Sequence, residues 1–389
     1  MRRSDTRILT THAGSLPRPQ ALTRLYAARA GGAQVDEAKL AVAGRDAVAA
    51  VVASQRECGV DVVGNGEQQR DSFVLYLKHR LGGLGGQGER TSFADVDAYP
   101  EFQRARQEQL ANKVAVTNWG ALPKTIGAIT YQGHAALDEE CDVFAKAMEA
   151  ARGDFVEPFM TAPSPGILAA IVRNEYYDTE ASYLAAIGAA LQVEYETIVG
   201  RGFLLQLDCP DLALERHVSF KARPLSDFLQ FVELTISTIN KALRNIPRDR
   251  VRLHACWGNY EGPHDRDVPL AEILPIVQRA NVGGFLLPFG NARHAHEYNC
   301  FRASPLADDQ VLIAGVIDTL TNVVEHPEAI AERLERVARV VGDPTRVMAG
   351  TDCGFDTSAG MGRVAPDVVW AKLKSLRDGA AMASKRLFG

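Results

Sequence analysis

The sequence has few cysteines, no long apolar run and no excess of positive charge. Six cysteines among 389 residues are too sparse for a disulfide scaffold and suit a reducing compartment. No apolar run approaches the roughly 20 residues that a membrane-spanning helix needs, and residues 1–7 lack the apolar core of a secretion signal. A net charge of −5 argues against nucleic acid or an anionic membrane as the main partner. These absences predict a cytoplasmic protein that binds neither nucleic acid nor a membrane.

Short β-rich runs alternate with amphipathic helical stretches along most of the chain. Apolar residues at helical spacing predict helices over 36–57, 180–200, 224–243, 326–341 and 366–388. Strands are predicted over 7–13, 60–66, 155–160, 203–208, 251–256, 283–288, 311–317 and 346–352. Eight such βα units predict an α/β fold of the (β/α)8 TIM-barrel type, formed as a single domain by residues 1–389. In that fold, functional groups gather at the carboxyl ends of the strands.

The stretch 83–153 interrupts this alternation. The glycine-rich run 82–88 at its start favours a flexible segment. Two strand-like runs, 113–118 and 124–131, and a helical pattern over 138–151 follow. We therefore expect 83–153 to be an insertion after the second βα unit that covers the mouth of the barrel.

One histidine and two cysteines stand at the ends of two predicted strands. His254 and Cys256 close the run 250–256 and, as residues i and i+2 of a strand, project to the same side. Cys353 follows the strand-like run 346–351. One imidazole and two thiols are three of the four donors of a tetrahedral zinc site. The pattern therefore predicts a zinc ion that holds an incoming thiol as a thiolate, which indicates alkyl transfer to sulfur.

Two carboxylates stand at the ends of other predicted strands. Glu67 and Asp208 each follow an apolar strand core, which places them at the barrel mouth. There they would attract an ammonium group or serve in acid–base steps. The alternative is a structural ion pair of these carboxylates with Arg70 or Arg18.

Two further aspartates are candidates for a catalytic role, Asp352 beside Cys353 and Asp318 in the run 316–319. Either could accept a hydrogen bond from the ring N–H of His254. Such a bond fixes the tautomer and the orientation of a metal-binding imidazole.

The His-x-Cys pair, the late Asp-Cys-Gly and three further segments resemble the cobalamin-independent methionine synthase family in its single-barrel form. The three segments are 10–19 (TTHAGSLPRP), 65–73 (NGEQQRDSF) and 205–213 (LQLDCPDLA). They occur in the family's order, and the resemblance covers nearly the whole chain.

The resemblance implies a role for each of these residues. The residues that would bind zinc are His254, Cys256 and Cys353. The residues that would contact an amino-acid substrate are His12, Gly14, Ser15, Glu67 and Asp208. Within the second set, the loop 12–18 would face the substrate's carboxylate, and the two acidic residues would meet its amino group.

Four features depart from the family pattern. The family's remaining zinc ligand is a Glu, and this chain has Pro288 at that position, which cannot bind a metal. The segment 293–297 (RHAHE) could supply a substitute ligand. Alternatively, this segment is a capped helix start with surface histidines. The run 159–171 lacks the tryptophan that holds a pterin ring, which argues against folate as the methyl donor. A histidine is missing after Asp318, and Cys209 replaces an acidic residue.

The leading hypothesis is a zinc-dependent S-alkyltransferase, a methyltransferase that converts homocysteine to methionine with an unassigned donor. Epoxyalkane:coenzyme M transferases and corrinoid:thiol methyltransferases are relatives that use the same zinc chemistry, so that an epoxide or an alkylated corrinoid is the alternative electrophile. A zinc-dependent hydrolase or lyase is a rival, because a zinc ion with three protein ligands can carry water. A barrel that binds ligands without turnover is another. The expected partners are a small-molecule thiol and an alkyl donor, and a homo-oligomer is left open.

Overall fold

The structure is a computed structural model that describes residues 1–111, 116–117 and 122–389. Its strands, in chain order, are β1 (Val62–Gly64), β2 (Leu81–Gly88), β3 (Leu122–Tyr131), β4 (Glu157–Pro163), β5 (Arg173–Asn174), β6 (Leu204–Asp208), β7 (Val251–His254), β8 (Gly284–Pro288), β9 (Val311–Ile317) and β10 (Val347–Thr351). Its α-helices are α1 (Gln20–Ala30), α2 (Glu37–Cys58), α3 (Ala94–Asp97), α4 (Pro100–Ala111), α5 (His134–Ala150), α6 (Pro165–Ile171), α7 (Glu180–Gly200), α8 (Leu225–Ala242), α9 (Leu270–Val277), α10 (Pro327–Val341) and α11 (Pro366–Phe388). Within the described residues, no helix has the length and apolar character that crossing a membrane requires.

Seven strands of the described chain form a curled parallel sheet in the order β1-β4-β6-β7-β8-β9-β10. Its two edge strands are connected through the N-terminal segment, because Thr10 pairs with Ala349 of β10 and Thr11 pairs with Val62 of β1, both in parallel. Seven of the eight predicted strands correspond to the seven strands of this sheet. The predicted strand 7–13 is reduced to the two bridges, since its main chain meets its neighbours only around these threonines.

Strands β8 and β9 are apolar along their whole length because both faces of the sheet are covered there. Every residue of β8 and β9 is buried. On the outside, α7 packs against β4 and β6, and α10 packs against β9 and β10. The five helices predicted over 36–57, 180–200, 224–243, 326–341 and 366–388 are confirmed with bounds that differ by one residue at most.

A smaller sheet consists of β2, β3 and β5 within the described residues, with β2 antiparallel and β5 parallel to β3. Strand β3 corresponds to the predicted run 124–131, whereas most of the predicted run 113–118 lies outside the described residues. The predicted helix 138–151 is α5, which packs against α2 and α7. The assignment of 83–153 as an insertion in a single domain stays a prediction.

Candidate metal centre and substrate cavity

His254, Cys256 and Cys353 lie together although they follow different strands. Strand β7 ends at His254, and β10 ends two residues before Cys353. The ligand atoms of the three residues lie within 4.8 Å of one another, and the two Sγ atoms are 3.9 Å apart. Two sulfurs that each lie about 2.3 Å from one tetrahedral zinc ion are separated by about 3.8 Å. The three side chains therefore fit a zinc ion, and no fourth His, Cys, Asp or Glu of the described chain joins them.

The imidazole of His254 is held by main chain on one side only. Nδ1 lies 3.3 Å from the carbonyl oxygen of Leu286 on β8, whereas Nε2 is buried without a hydrogen-bond partner among the described residues. A buried polar atom without a partner is costly, and a metal ion would satisfy Nε2. The expectation that Asp352 or Asp318 accepts the ring N–H is wrong, because the neighbouring strand supplies a main-chain oxygen instead.

The close approach of the two thiols separates their acidities. The hydrogen bond with Cys353 lowers the pKa of Cys256 well below its ordinary value, and His254 acts in the same direction. The same contact raises the pKa of Cys353 well above its ordinary value. Burial by itself lowers the pKa of His254, but the contact with Cys256 outweighs burial and raises it. The cluster therefore favours a thiolate at Cys256, which is the state that binds metal.

Neither predicted catalytic aspartate is among the residues that line the cavity. Asp352 accepts hydrogen bonds from the main-chain N–H groups of Gly290 and Asn291, both at 2.7 Å, and burial raises its pKa to about 6. It thereby ties the segment before Cys353 to the segment after β8. Asp318 accepts a hydrogen bond at 2.8 Å from the main-chain N–H two residues later. A catalytic role of either aspartate stays a prediction.

Glu67 is buried with half of its carboxylate unpaired. Thr161 donates to Oε1 at 3.0 Å, whereas Oε2 has no partner among the described residues. Burial raises the pKa of Glu67 above its ordinary value. Gly14 makes room for this side chain, since a Cβ there would stand 2.7 Å from Oε1. Glu67 itself has a φ of 57°, a conformation that is rare outside glycine and is found at functional sites.

Asp208 ends β6 and supplies the second carboxylate of the cavity. Gln206 donates to its Oδ1 at 2.7 Å. Burial raises the pKa of Asp208 to about 7, and the charge of Glu67 acts in the same direction. Two buried carboxylates that disfavour each other's ionisation attract a cation.

The alternative role of these carboxylates, an ion pair with Arg70 or Arg18, is wrong. Arg70 pairs with Glu140 at 2.8 Å, and Arg18 pairs with Asp356 at 3.0 Å. Arg70 also donates to the carbonyl oxygen of Thr161 at 2.8 Å. It therefore positions the residue that contacts one carboxylate, and the carboxylates themselves face the cavity.

The N-terminal loop presents Ser15 and Ala13 to the cavity, but not His12. His12 is buried, with Nε2 at 2.7 Å from Oε1 of Gln55 and with Nδ1 accepting from the main-chain N–H of Gly14 at 3.2 Å. Burial lowers the pKa of His12 to about 3, so that the ring is neutral. His12 therefore supports the loop through its contacts with Gln55 and Gly14, outside the cavity lining. A substrate contact of any of these residues stays a prediction.

We call His254, Cys256 and Cys353 the metal cluster, meaning the cluster of potential metal ligands. These residues and the carboxylates of Glu67 and Asp208 line one cavity of about 410 Å³. Much of its remaining wall is apolar or aromatic and includes Phe73, Phe93, Ile167, Ile171, Leu214, Tyr260 and Met361. Arg106 also lines the cavity, with its guanidinium 5.8 Å from the ring of Phe93 and 5.7 Å from the ring of Tyr260. Its Nε has no hydrogen-bond partner in the described part of the chain. Sequence reasoning missed Arg106, because one arginine in a polar helix carries no signal of its own.

Pro288 ends β8 and supplies no ligand to the metal cluster. The segment 293–297, the predicted source of a substitute, supplies none either, and its His294 belongs to a different group of residues with His264 and Asp267. His294 is buried and stacks on Trp257 at 3.9 Å, so that the alternative of a surface histidine is also wrong for this residue. A tetrahedral ion held by His254, Cys256 and Cys353 would have one position open.

Residues 8–256 match a family model described as the catalytic domain of cobalamin-independent synthase, a range that includes His254 and Cys256. The chain is similar to the methionine synthase of Sulfolobus acidocaldarius, with 25% identity over 347 residues, 89% of this chain and 85% of the relative. It is similar to the 2-hydroxypropyl-CoM lyase of Xanthobacter autotrophicus, with 22% identity over 393 residues, 91% of each. The structure of a B12-independent methionine synthase from Shewanella sp. W3-18-1 in complex with selenomethionine has the same fold, with a TM-score of 0.72 and 19% identity over 98% of this chain and 99% of that chain. Because the family model matches more than half of its length, the chain belongs to the cobalamin-independent synthase catalytic-domain family.

Proposed function

We propose that this chain is a metal-dependent transferase that methylates the sulfur of homocysteine. The observation that carries the proposal is one cavity shared by a thiol-rich metal cluster and two carboxylates. Two sulfur donors and one nitrogen donor suit zinc and leave its fourth position for a substrate. Family membership and the similarity to methionine synthases support the same reaction.

Zinc is the metal that we propose, held through Sγ of Cys256 and Cys353 and through Nε2 of His254. When bound, it would lower the pKa of the acceptor thiol, so that the acceptor reacts as a thiolate. The chain orients its own ligands, because the carbonyl oxygen of Leu286 fixes the imidazole and Asp352 holds the segment before Cys353. Two thiolate ligands weaken a metal as a Lewis acid, which favours a sulfur nucleophile over the hydrolytic alternative.

Homocysteine is the proposed acceptor, because its charged groups match the cavity. Its ammonium group would lie between Glu67 and Asp208, whose ionised forms a bound cation favours. Its carboxylate would face the loop 12–18, of which Ser15 lines the cavity. This orientation would direct the thiol toward the open position at the metal cluster.

The methyl donor would bind in the apolar part of the cavity. The stacked rings of Phe93 and Tyr260, 4.7 Å apart, form part of its wall, and Arg106 adds a positive charge. We therefore expect a donor with an apolar body and a negatively charged group. An epoxide or an alkylated corrinoid stays the alternative electrophile, and the similarity to 2-hydroxypropyl-CoM lyase supports the former.

We also propose that the fold is a complete (β/α)8 barrel. The bridges of Thr10 and Thr11 to the two edge strands support residues 10–11 as the remaining strand. The side chains of Arg90, Phe93 and Arg106 line the cavity, which supports a covering role for the segment 83–153.

Metal analysis tests the proposed function, with wild type beside Cys256→Ser and Cys353→Ser and with zinc X-ray absorption before and after addition of homocysteine. We expect each variant to lose one equivalent of zinc per chain, and homocysteine to add a Zn–S contact in the wild type. Cys300→Ser, which changes a cysteine outside the cavity lining, is the matched control and should keep the zinc. Zinc without a new sulfur contact would indicate another thiol or metal-bound water. A wild type without zinc on these cysteines would contradict the proposal.

A further inference from the structure

A second group of side chains with the spacing of metal ligands lies outside the cavity lining. His264, Asp267 and His294 each place a ligand atom within 4.8 Å of the other two. His217 lies against the same carboxylate, and we call the four residues the Asp267 cluster. The side chains of His217 and Asp267 are 1% exposed, and that of His294 is 7% exposed. Burying so many polar groups is costly unless each of them is compensated.

Each imidazole of the Asp267 cluster turns one nitrogen toward the carboxylate. Nδ1 of His264 and Nε2 of His294 lie 2.9 and 2.8 Å from Oδ2, and Nδ1 of His217 lies 3.3 Å from Oδ1. Among the described residues, Nδ1 of His217 and Oδ1 of Asp267 are buried without a hydrogen-bond partner. Two donor atoms that each lie about 2.0–2.1 Å from a tetrahedral ion are about 3.3 Å apart. One ion between these two atoms would therefore satisfy both.

The other nitrogen of each imidazole faces a protein oxygen. Nε2 of His264 lies 3.0 Å from the carbonyl oxygen of Tyr260, and Nε2 of His217 lies 3.1 Å from the hydroxyl of the same residue. Oε2 of Glu297 lies 2.8 Å from Nδ1 of His294. Metal-binding histidines usually donate their second N–H to such an oxygen, which leaves the inner nitrogen unprotonated for the metal. In all three imidazoles the outer nitrogen faces such an oxygen.

The position of the proton on His217 distinguishes a metal site from a network of hydrogen bonds. The hydroxyl of Tyr260 donates to Asp95 at 2.6 Å and therefore accepts from Nε2 of His217. This donation places a proton on Nε2 of His217. Nδ1 of His217 and Oδ1 of Asp267 lie 3.3 Å apart and form no hydrogen bond with each other among the described residues, so that a ring protonated at Nε2 directs a lone pair at the carboxylate. Two facing lone pairs repel each other unless a cation lies between them.

We propose that the Asp267 cluster binds a divalent metal ion of the zinc class, separately from the cysteine-containing cluster. His264, Asp267 and His294 would supply two nitrogen ligands and one oxygen ligand, which suit zinc and other first-row metals. His217, whose Nδ1 lies 3.3 Å from Oδ1 of Asp267, would move inward to complete a four-coordinate set. The inner nitrogens of His264 and His294 would have to move outward by about 0.5 Å, because their present separations from Oδ2 are those of hydrogen bonds. The φ of 54° at His264, rare for a residue other than glycine, fits a ring that its surroundings hold in place.

The position of the Asp267 cluster indicates a structural role. Its residues follow three neighbouring strands, β6, β7 and β8, so that one ion would join three loops. Through Tyr260 and Asp95 the same network reaches α3. Trp257, the residue after Cys256, stacks on His294. The ion would therefore brace the cavity wall without meeting substrate, and the proposal does not depend on the reaction that the cavity performs.

Metal content measured on purified full-length protein gives the first test. We expect two equivalents of divalent metal per chain in the wild type and one in the double variant Cys256→Ser/Cys353→Ser. Asp267→Asn should also fall from two equivalents to one, whereas His296→Gln, which changes a neighbouring exposed histidine, should keep both. A wild type whose metal is lost completely with the two cysteines would overturn the proposal.

Titration with cobalt(II) identifies the ligands of the one metal equivalent that each variant should retain. The double cysteine variant should show cobalt d–d bands without thiolate-to-cobalt charge transfer, and Asp267→Asn should show the charge transfer. A double variant with a folded circular dichroism spectrum that binds no cobalt would mean that hydrogen bonds alone hold the Asp267 cluster. If the double variant does not fold, His294→Gln decides, since it should lose one of two equivalents and keep the sulfur band. Failure of homocysteine to bind zinc would leave each of these outcomes unchanged.

Discussion

The Sγ atoms of Cys256 and Cys353 lie 3.9 Å apart although 97 positions separate the residues in the chain. The two cysteines follow β7 and β10, and β8 and β9 lie between those strands in the sheet. In a flat sheet, three steps of about 4.8 Å would place the strands about 14 Å apart. The curl of the sheet therefore directs both thiols to one point, and the metal cluster depends on it.

Gly14→Ala should lower both the stability and the affinity for homocysteine. The substitution meets a φ of 122° and places a Cβ 2.7 Å from Oε1 of Glu67 and 2.7 Å from Cγ2 of Thr161, the residue that donates to the same oxygen. Gly32→Ala is the matched control, because Gly32 has a φ of 82° with no atom within 4 Å of the added Cβ. Thermal unfolding and homocysteine titration of both variants check this. Equal effects of the two substitutions would show that the contact with Glu67 has no importance.

Glu67→Gln should raise the KM for homocysteine about 10- to 100-fold, because a charge-assisted hydrogen bond contributes about 1.5–3 kcal/mol. The same variant should unfold at no lower a temperature than the wild type, since Oε2 of Glu67 has no partner among the described residues. Steady-state kinetics and calorimetry measure the two effects, with the exposed Glu57→Gln as control. A fall in kcat at unchanged KM would indicate an acid–base role instead of ammonium binding.

Asp352→Asn should weaken metal binding at the cysteine cluster about tenfold, the lower end of the effect of supporting groups around a metal site. The carboxylate receives the main-chain N–H groups of Gly290 and Asn291. An amide can accept through one oxygen only, so that the segment before Cys353 would loosen. Asp318→Asn is the control, because its carboxylate bonds within its own turn. Competition for zinc with a chromophoric chelator measures both, and equal affinities would contradict a positioning role for Asp352.

Glu140→Gln should lower the free energy of unfolding at pH 7 by about 3–5 kcal/mol, because it removes one of the two buried carboxylates that pair with the buried Arg70 and Arg80. Although burial alone would raise it, Arg70 and Arg80 lower the pKa of Glu140 below its ordinary value. The carboxylate therefore stabilises the fold above about pH 4.3, and this contribution is lost as the pH falls through the lowered pKa. Urea unfolding between pH 7 and pH 3 should show a weaker acid dependence for the variant.

The control for Glu140→Gln is Glu139→Gln, which removes an ion pair with Arg45 whose two side chains are 46% and 49% exposed. Such a pair contributes about 0–1 kcal/mol. A similar loss in both variants would show that burial does not strengthen the interactions of Glu140.

Local patterns were sufficient to predict α10. Its buried residues include Ile330, Leu334 and Val337, spaced for one helix face, with Pro327 in its first turn and Gly342 at its end with a φ of 82°. These signals act within about four residues of the chain, so that no tertiary contact is needed to identify them. The prediction of a continuous strand over 7–13 was wrong for the opposite reason, since the pairing of this segment depends on two strands that are distant in sequence.

The sequence by itself determined the family, most helices and strands, and the residue types at the strand ends, because periodicity and short motifs are local properties. Only the tertiary structure decided which of these residues line the cavity and which support it. Ser15 lines the cavity and His12 does not, Arg106 lies on the cavity wall, and the carbonyl oxygen of Leu286 contacts the imidazole of His254. It also gathered three histidines around Asp267. A main-chain oxygen is the same at every position, and a single arginine or histidine carries no pattern. Their roles arise when the curled sheet and its loops place them within contact distance.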